Sequence, residues 1–192
     1  MIENKSFNQL NFRTLLNCMS LPGTIGILEC DPEDKKNPLV SLYLCAQVLL
    51  DPEVSFFVSG IGLDNVSKEI ATTTKAFLST NESADYLFLL NEDLPTKIER
   101  AKKGSMESPE KGATCLIYIP TISQEPSSYV LTGPGIENFT LFPTIEHLSM
   151  PMFYQAFAKV NSEFPLGIDF IFIDSWLQIF CIPRTVKMKR KV

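Results

Sequence analysis

The sequence predicts an α/β fold, a mixed β-sheet flanked by helices, on two observations. Helical and strand-like segments alternate in the first half of the chain, and strand-like segments cluster in the second half. That order is typical of a sheet with helices packed on its faces. At 192 residues the chain is expected to form a single domain, with short flexible ends at about residues 1–5 and 187–192.

The first predicted elements are a helix at residues 7–19 and a short strand at residues 24–30. Leu21-Pro22-Gly23 separates them, and the charged segment 31–36 that follows is expected to be a solvated loop. Four apolar side chains recur at the spacing of one helical face, which we expect to be buried: Phe12, Leu15, Leu16 and Met19.

The next segment, residues 38–50, is apolar at nearly every position. Its 13 residues are too few to cross a bilayer, which needs about 18, so a helix buried on most sides is expected. Asp51-Pro52 ends this helix, and the β-branched and aromatic run from Val54 to Val58 then predicts a central strand.

A third helix is predicted to begin at Asp64, which is positioned to cap it. Its inward face is expected to carry Val66, Ile70 and Phe77, with Lys75 on the polar face. The rest of the chain is predicted as follows: strand 85–90, basic helix 97–103, irregular loop 104–112, strands 113–119, 129–132 and 139–142, helix 151–161, and a hairpin of strands 168–173 and 177–182. We expect the basic tail at residues 187–192 to be solvated.

Composition excludes several classes of protein. A net charge of −5 argues against nucleic-acid binding, because phosphate neutralisation needs a basic face. No signal-peptide pattern or membrane-length apolar run is present, so we expect a cytoplasmic protein with no membrane contact. The five cysteines are odd in number and widely spread, which indicates buried small hydrophobes and no disulfide framework.

Metal and nucleophile motifs are also missing. His147 is the single histidine, and the cysteines are too far apart for a zinc or iron-sulfur site, so no metal is expected. Neither a phosphate-binding loop nor a nucleophile elbow occurs. We interpret His147 as a polar loop residue that precedes a helix.

Three glycine-bearing stretches contain the candidate site residues, and each has a structural alternative. In residues 104–114, Glu107 and Glu110 are candidates for a general acid and base, or are solvated charges of a turn. In residues 131–136, Gly133 and Gly135 belong to a tight turn that needs no ligand to explain it. Arg184, just past a predicted buried strand, is positioned either to bind an anion or to form a salt bridge with Asp169.

Taken together and in this order over residues 7–186, six short stretches make the chain resemble the PhnH family of the bacterial carbon-phosphorus lyase system. They are Phe12-Arg13-Thr14-Leu15-Leu16, Met19-Ser20-Leu21-Pro22-Gly23, Pro109-Glu110-Lys111-Gly112-Ala113-Thr114, Leu131-Thr132-Gly133-Pro134-Gly135-Ile136, Phe164-Pro165-Leu166-Gly167-Ile168-Asp169 and Ile182-Pro183-Arg184-Thr185.

The resemblance implies a place in the multi-subunit complex with which bacteria take phosphorus from alkylphosphonates. That complex joins the phosphonate to ribose, displacing adenine from ATP, to give α-D-ribose 1-methylphosphonate 5-triphosphate. A separate radical-SAM subunit cleaves the carbon-phosphorus bond, and this chain lacks the cysteine cluster that such a subunit needs. The resemblance also implies that the isolated chain is a homodimer and that its partners are the other core subunits, including the radical-SAM subunit.

The family's fold is similar to that of pyridoxal-phosphate-dependent transferases, without their active site. A Schiff-base lysine must be desolvated, whereas Lys75 is predicted on a polar helix face, so no cofactor is expected. The leading hypothesis is therefore a subunit that is itself non-catalytic. The alternatives are an autonomous acid/base transferase that uses Glu107, Glu110 and Arg184, and a homodimeric scaffold without a phosphonate role.

Overall fold

A computed structural model describes residues 7–60, 63–90 and 93–191, so the predicted flexible segment 1–5 lies outside the described residues. The helices are α1 (Asn8–Ser20), α2 (Val40–Leu49), α3 (Asp64–Thr74), α4 (Leu94–Arg100) and α5 (Met150–Val160). The strands are β1 (Ile25–Ile27), β2 (Ser55–Ser59), β3 (Phe77–Leu78), β4 (Tyr86–Leu90), β5 (Thr114–Ile119), β6 (Ile122–Thr132), β7 (Thr140–Ile145), β8 (Asp169–Asp174), β9 (Gln178–Ile182) and β10 (Lys187–Arg190).

The main sheet has seven strands in the order β1-β9-β8-β5-β4-β2-β3. The strands from β8 to β3 pair in parallel, whereas β9 and β1 add antiparallel at one edge. This confirms the predicted α/β class with a mixed sheet. The later strands β6, β7 and β10 do not join it but form a separate antiparallel sheet in the order β10-β6-β7.

Two hydrophobic cores lie on opposite faces of the main sheet. Helices α4 and α5 and the small sheet enclose one of them, where six phenylalanine rings pack with neighbouring centroids 5.4–6.1 Å apart: Phe142, Phe153, Phe157, Phe170, Phe172 and Phe180. Helices α1, α2 and α3 enclose the other. Helix α2 is buried from Val40 to Ala46, as its apolar sequence predicted.

The buried face of α1 differs from the predicted one. Asn11, Leu15 and Cys18 point inward, while Phe12 and Leu16 are 50% and 56% exposed. Asn11 faces inward because its side chain forms two hydrogen bonds with the backbone of Glu29. The carboxamide donates to the Glu29 carbonyl at 2.9 Å and accepts from the Glu29 N–H at 2.7 Å. These bonds pair the backbone beyond β1 and turn a polar residue inward, which a hydrophobic pattern cannot predict.

Helix α3 ends earlier than predicted. Lys75 has a left-handed backbone (φ +65°) that terminates the helix, and Phe77 lies in the edge strand β3, where it is 64% exposed. Asp64 is the first helical residue and Leu63 occupies the N-cap position before it, so Asp64 is not the cap that the sequence predicted.

Other element boundaries also shift. Helix α4 spans Leu94–Arg100 and not 97–103, and β6 begins at Ile122 and not at 129. The end that was predicted to be flexible forms strand β10 at residues 187–190, which pair with β6 from Lys187 opposite Thr132 to Arg190 opposite Tyr129. The basic side chains of this strand are exposed to solvent, as expected.

All five cysteines are buried and free, as predicted. Burial raises the pKa of Cys45, which lies in α2, to about 12, so that its thiol stays protonated at neutral pH. Among the helices that the structure describes, none combines the length and apolar character that a bilayer crossing requires.

Candidate functional site

Arg184 and Asp169 form a salt bridge at the amino end of strand β8 in the main sheet. Asp169 begins β8, and Arg184 follows the end of β9, which pairs with β8. The guanidinium donates from Nε and Nη2 to Oδ2 of Asp169 at 3.1 and 2.5 Å, and the Arg184 backbone N–H donates to Oδ1 at 2.8 Å. Both side chains are largely buried, at 14% and 18% exposure, which favours the structural interpretation of Arg184.

The same guanidinium also holds the loop before β5. Its Nη1 donates to the Pro109 carbonyl at 2.6 Å and its Nη2 to the Gly112 carbonyl at 3.4 Å. With the two bonds to Asp169, four of the five N–H donors of an arginine side chain are engaged. A bidentate contact with an anion would therefore have to displace existing partners of Arg184.

Two glycines allow this close packing. A Cβ on Gly112 would lie 2.3 Å from the Gly167 carbonyl oxygen and 2.5 Å from Nη1 of Arg184, and one on Gly167 would lie 2.3 Å from Oδ1 of Asn161. Three sequence stretches far apart in the chain, at 109–114, 164–169 and 182–185, thus meet around one guanidinium. We call this arrangement the Arg184 junction.

Glu107 and Glu110 lie in the loop next to the junction but take no part in its hydrogen bonds. Both side chains are exposed. A general acid or base usually has its pKa tuned towards neutrality by burial or by neighbouring charges, and exposed carboxylates lack the first of these. The positions of both residues therefore fit the alternative of solvated charges in a turn.

Gly133 and Gly135 form the turn between β6 and β7, with φ values of +141° and +79°. A Cβ on Gly135 would lie 2.2 Å from the carbonyl oxygen of Ser20, at the end of α1, and one on Gly133 would lie 3.1 Å from the carbonyl oxygen of Thr185. The turn therefore packs against α1 on one side and against the segment after Arg184 on the other. Positive φ values together with these close backbone contacts account for both glycines.

The Arg184 junction lies at the amino ends of the parallel strands, because Thr114 and Asp169 are the first residues of β5 and β8. Open α/β sheets bind ligands at the carboxyl ends of their strands. The junction therefore lies at the end of the strands where residues are expected to stabilise the fold and not to bind a ligand.

At the carboxyl ends of the parallel strands, a cavity of about 230 Å³ lies between the starts of α4 and α5. Asp93, His147 and Ser149 supply its polar groups, and all three are exposed. Asp93 and His147 have left-handed backbones, with φ of +46° and +64°. His147 lies in a loop before a helix, as predicted. No motif in the sequence points to Asp93, because its place beside this cavity depends on how the segment after β4 folds.

Sequence comparisons place these features in a family. The family model described as "Bacterial phosphonate metabolism protein (PhnH)" matches residues 3–189. The chain is 26% identical over 190 residues to the alpha-D-ribose 1-methylphosphonate 5-triphosphate synthase subunit PhnH of Rhizobium meliloti (strain 1021), covering 94% of this chain and 89% of that protein.

A second relative is the putative C-P lyase subunit protein HtxG of Stutzerimonas stutzeri, 27% identical over 184 residues, which cover 95% of this chain and 86% of that protein. The family match spans nearly the whole chain and includes every stretch that meets at the Arg184 junction. The chain therefore belongs to the PhnH family of bacterial phosphonate metabolism proteins.

Proposed function

We propose that this protein is a non-catalytic subunit of a bacterial carbon-phosphorus lyase complex in alkylphosphonate catabolism. In this role it is required for the complex to form α-D-ribose 1-methylphosphonate 5-triphosphate from ATP and methylphosphonate. The names of both relatives, a synthase subunit and a putative C-P lyase subunit, support the pathway. The observation that supports a structural role is the Arg184 junction, where the candidate cation is already bonded within the fold.

The alternative of an autonomous transferase that uses Glu107, Glu110 and Arg184 is less well supported. Binding two polyanionic substrates together requires fixed cationic groups that are free to meet them. Arg184 is bonded to Asp169 and to two backbone carbonyls, and both glutamates point into solvent. We therefore expect the isolated chain to be inactive, with the substrate-binding cations supplied by another subunit.

The proposed partners are a second copy of this chain when it is isolated and the other core subunits, including the radical-SAM subunit, in the complex. Large apolar side chains at the edges of the main sheet support protein contacts: Ile27, Phe77 and Leu78 are each more than half exposed. Light scattering of the isolated protein should give twice the 21.6 kDa mass of the monomer. The proposed location of this assembly is the cytoplasm.

We further propose that the fold is related to that of pyridoxal-phosphate-dependent transferases. The open sheet with a parallel centre and helices on both faces is compatible with that relation. Lys75, which was predicted on a polar helix face, is exposed at the end of α3 and does not have the desolvated setting that a Schiff-base lysine needs. A superposition on transferase structures that preserves strand order would support the relation.

Co-expression with the other carbon-phosphorus lyase subunits tests the proposed function. A tag on one of those subunits should retain this chain through affinity and size-exclusion chromatography at a constant ratio. If the other subunits form an active complex from which this chain is absent, the proposal is wrong.

A further inference from the structure

The last described strand, β10, carries an unusual concentration of positive charge. Of the 17 lysines and arginines in the chain, four lie in the last six residues, whereas the other 186 residues carry 13 against 22 acidic side chains. We call the four the basic edge: Lys187, Lys189, Arg190 and Lys191, all of which are exposed. Within residues 7–60, 63–90 and 93–191, none of the four forms an ion pair.

The geometry of β10 places three lysines in one row. Met188 is 6% exposed and packs into the core beneath the small sheet. Because side chains alternate along a strand, Lys187 and Lys189 point to the outer, solvent face, and Lys191 continues the row just past the strand. Alternate positions on a strand are about 7 Å apart, so the row presents positive charge at regular intervals.

The backbone of β10 is open along its outer side. Among the strands of residues 7–60, 63–90 and 93–191, β10 has one neighbour, β6, and the Lys191 N–H donates to the Ser128 carbonyl at 2.7 Å. Because bonded and non-bonded pairs alternate in an antiparallel ladder, residues 187, 189 and 191 direct their backbone groups to β6. Met188 and Arg190 direct theirs to the open edge, where another strand can pair with them.

Protection against unwanted pairing does not by itself account for the concentration of cations on β10. Lysines on edge strands do prevent aggregation, and that need is greatest where apolar side chains are exposed. The edges β1 and β3 expose Ile27, Phe77 and Leu78, yet neither strand contains a charged residue. The charges are instead concentrated on β10, where the inward-facing Met188 is buried.

We propose that the basic edge is the docking surface for an extended acidic segment of another subunit. Such a segment would pair with the outward backbone groups of Met188 and Arg190 and place Asp or Glu at alternate positions opposite Lys187, Lys189 and Lys191. This inference rests on the proposed function, because it requires a protein partner. Since exposed ion pairs are individually weak, recognition depends on the whole row and is sensitive to salt.

A charge-reversal variant tests the row. In the co-expressed complex, Lys187→Glu, Lys189→Glu and Lys191→Glu together should weaken retention of this chain at least tenfold at low salt. The matched control reverses three other exposed lysines, Lys35→Glu, Lys68→Glu and Lys111→Glu, and should retain normal association. Both variants should keep the melting temperature of the isolated wild-type chain.

A backbone variant tests strand pairing. Arg190→Pro removes an N–H that faces the open edge, so it should spare the pairing of β10 with β6, while Arg190→Ala removes only the side chain. Association should fall further with proline than with alanine at an unchanged melting temperature. Equal association of both with the partner would overturn strand pairing.

Carbodiimide cross-linking, which joins lysine amines directly to carboxylates, identifies the occupant. We expect cross-links from the basic edge to an acidic strand of another subunit. Three results would overturn the inference and leave the proposed function standing. They are normal association of the triple variant, cross-links that reach only a second copy of this chain, and association that is lost on nuclease treatment. Failure of the wild-type chain to join the complex would overturn both.

Discussion

Two groups of cationic side chains in this protein have opposite surroundings. Arg184 is largely buried and bonded to Asp169 and two backbone carbonyls, so it joins three distant segments of the chain. The basic edge on β10 is exposed and makes no ion pair with another described residue. The motif residues that suggest a site thus stabilise the monomer, and the tail that suggests mere solvation is available for assembly.

Arg184→Ala should have the largest effect on stability. It leaves the Asp169 carboxylate and two carbonyls without their partner, which costs about 3 kcal/mol of unfolding free energy. Urea unfolding checks this, with Arg190→Ala as the matched control, expected to change stability by less than about 0.5 kcal/mol. Activity of the complex should fall together with stability. Lost activity at an unchanged melting temperature would instead restore an anion-binding role for Arg184.

Gly135→Ala should have the next largest effect, about 2 kcal/mol, because the new Cβ collides with the Ser20 carbonyl at a positive φ. The melting temperature of Gly135→Ala should be compared with that of Glu137→Ala, a change at an exposed residue of the same turn. The difference between the two reports the contact with Ser20. Wild-type stability for Gly135→Ala would mean that the turn does not pack closely against α1.

Asp85 extends the comparison to a half-buried ion pair at the start of β4. Burial acts to raise its pKa, but bonds from Lys102 and from the Ser55 hydroxyl and N–H outweigh it and lower the pKa below the usual value. The stabilisation is therefore present above the unfolded pKa of about 3.9 and lost as pH falls through the lower folded pKa. Urea unfolding between pH 3 and 6 should show this loss, and Asp85→Asn should reduce it. An identical pH dependence in Asp85→Asn would exclude this contribution.

The smallest effect is expected for Glu107→Gln combined with Glu110→Gln. Both side chains are exposed and outside the Arg184 junction, so stability should change by less than about 0.5 kcal/mol. Synthase activity of the reconstituted complex should also be retained. A large loss of activity in a complex that still assembles would make these glutamates catalytic.

Much of the fold could be predicted from the sequence, because apolar runs and their periods are local properties. Helix α2, strands β2, β4 and β5 and the hairpin of β8 and β9 all follow from such runs. The features that the sequence did not predict correctly, the buried face of α1 and the strand β10, depend on tertiary contacts. Asn11 turns inward to pair with Glu29, and β10 forms because β6 is long enough to pair with it.

The candidate site was predictable only as a set of alternatives. The sequence placed Arg184 near Asp169 but could not choose between a salt bridge and an anion contact. That choice depends on Pro109 and Gly112, which lie more than 70 positions away in the chain. Close backbone approach at Gly112 and Gly167 likewise appears only once the segments have met.

Adenine release from ATP and methylphosphonate tests the central claim, that this chain contributes structure and not catalysis, most directly. The isolated chain should release no adenine above background, and release should begin when the other subunits are added. Steady release by the isolated chain, abolished by Glu107→Gln or Glu110→Gln, would contradict the account and establish an autonomous transferase.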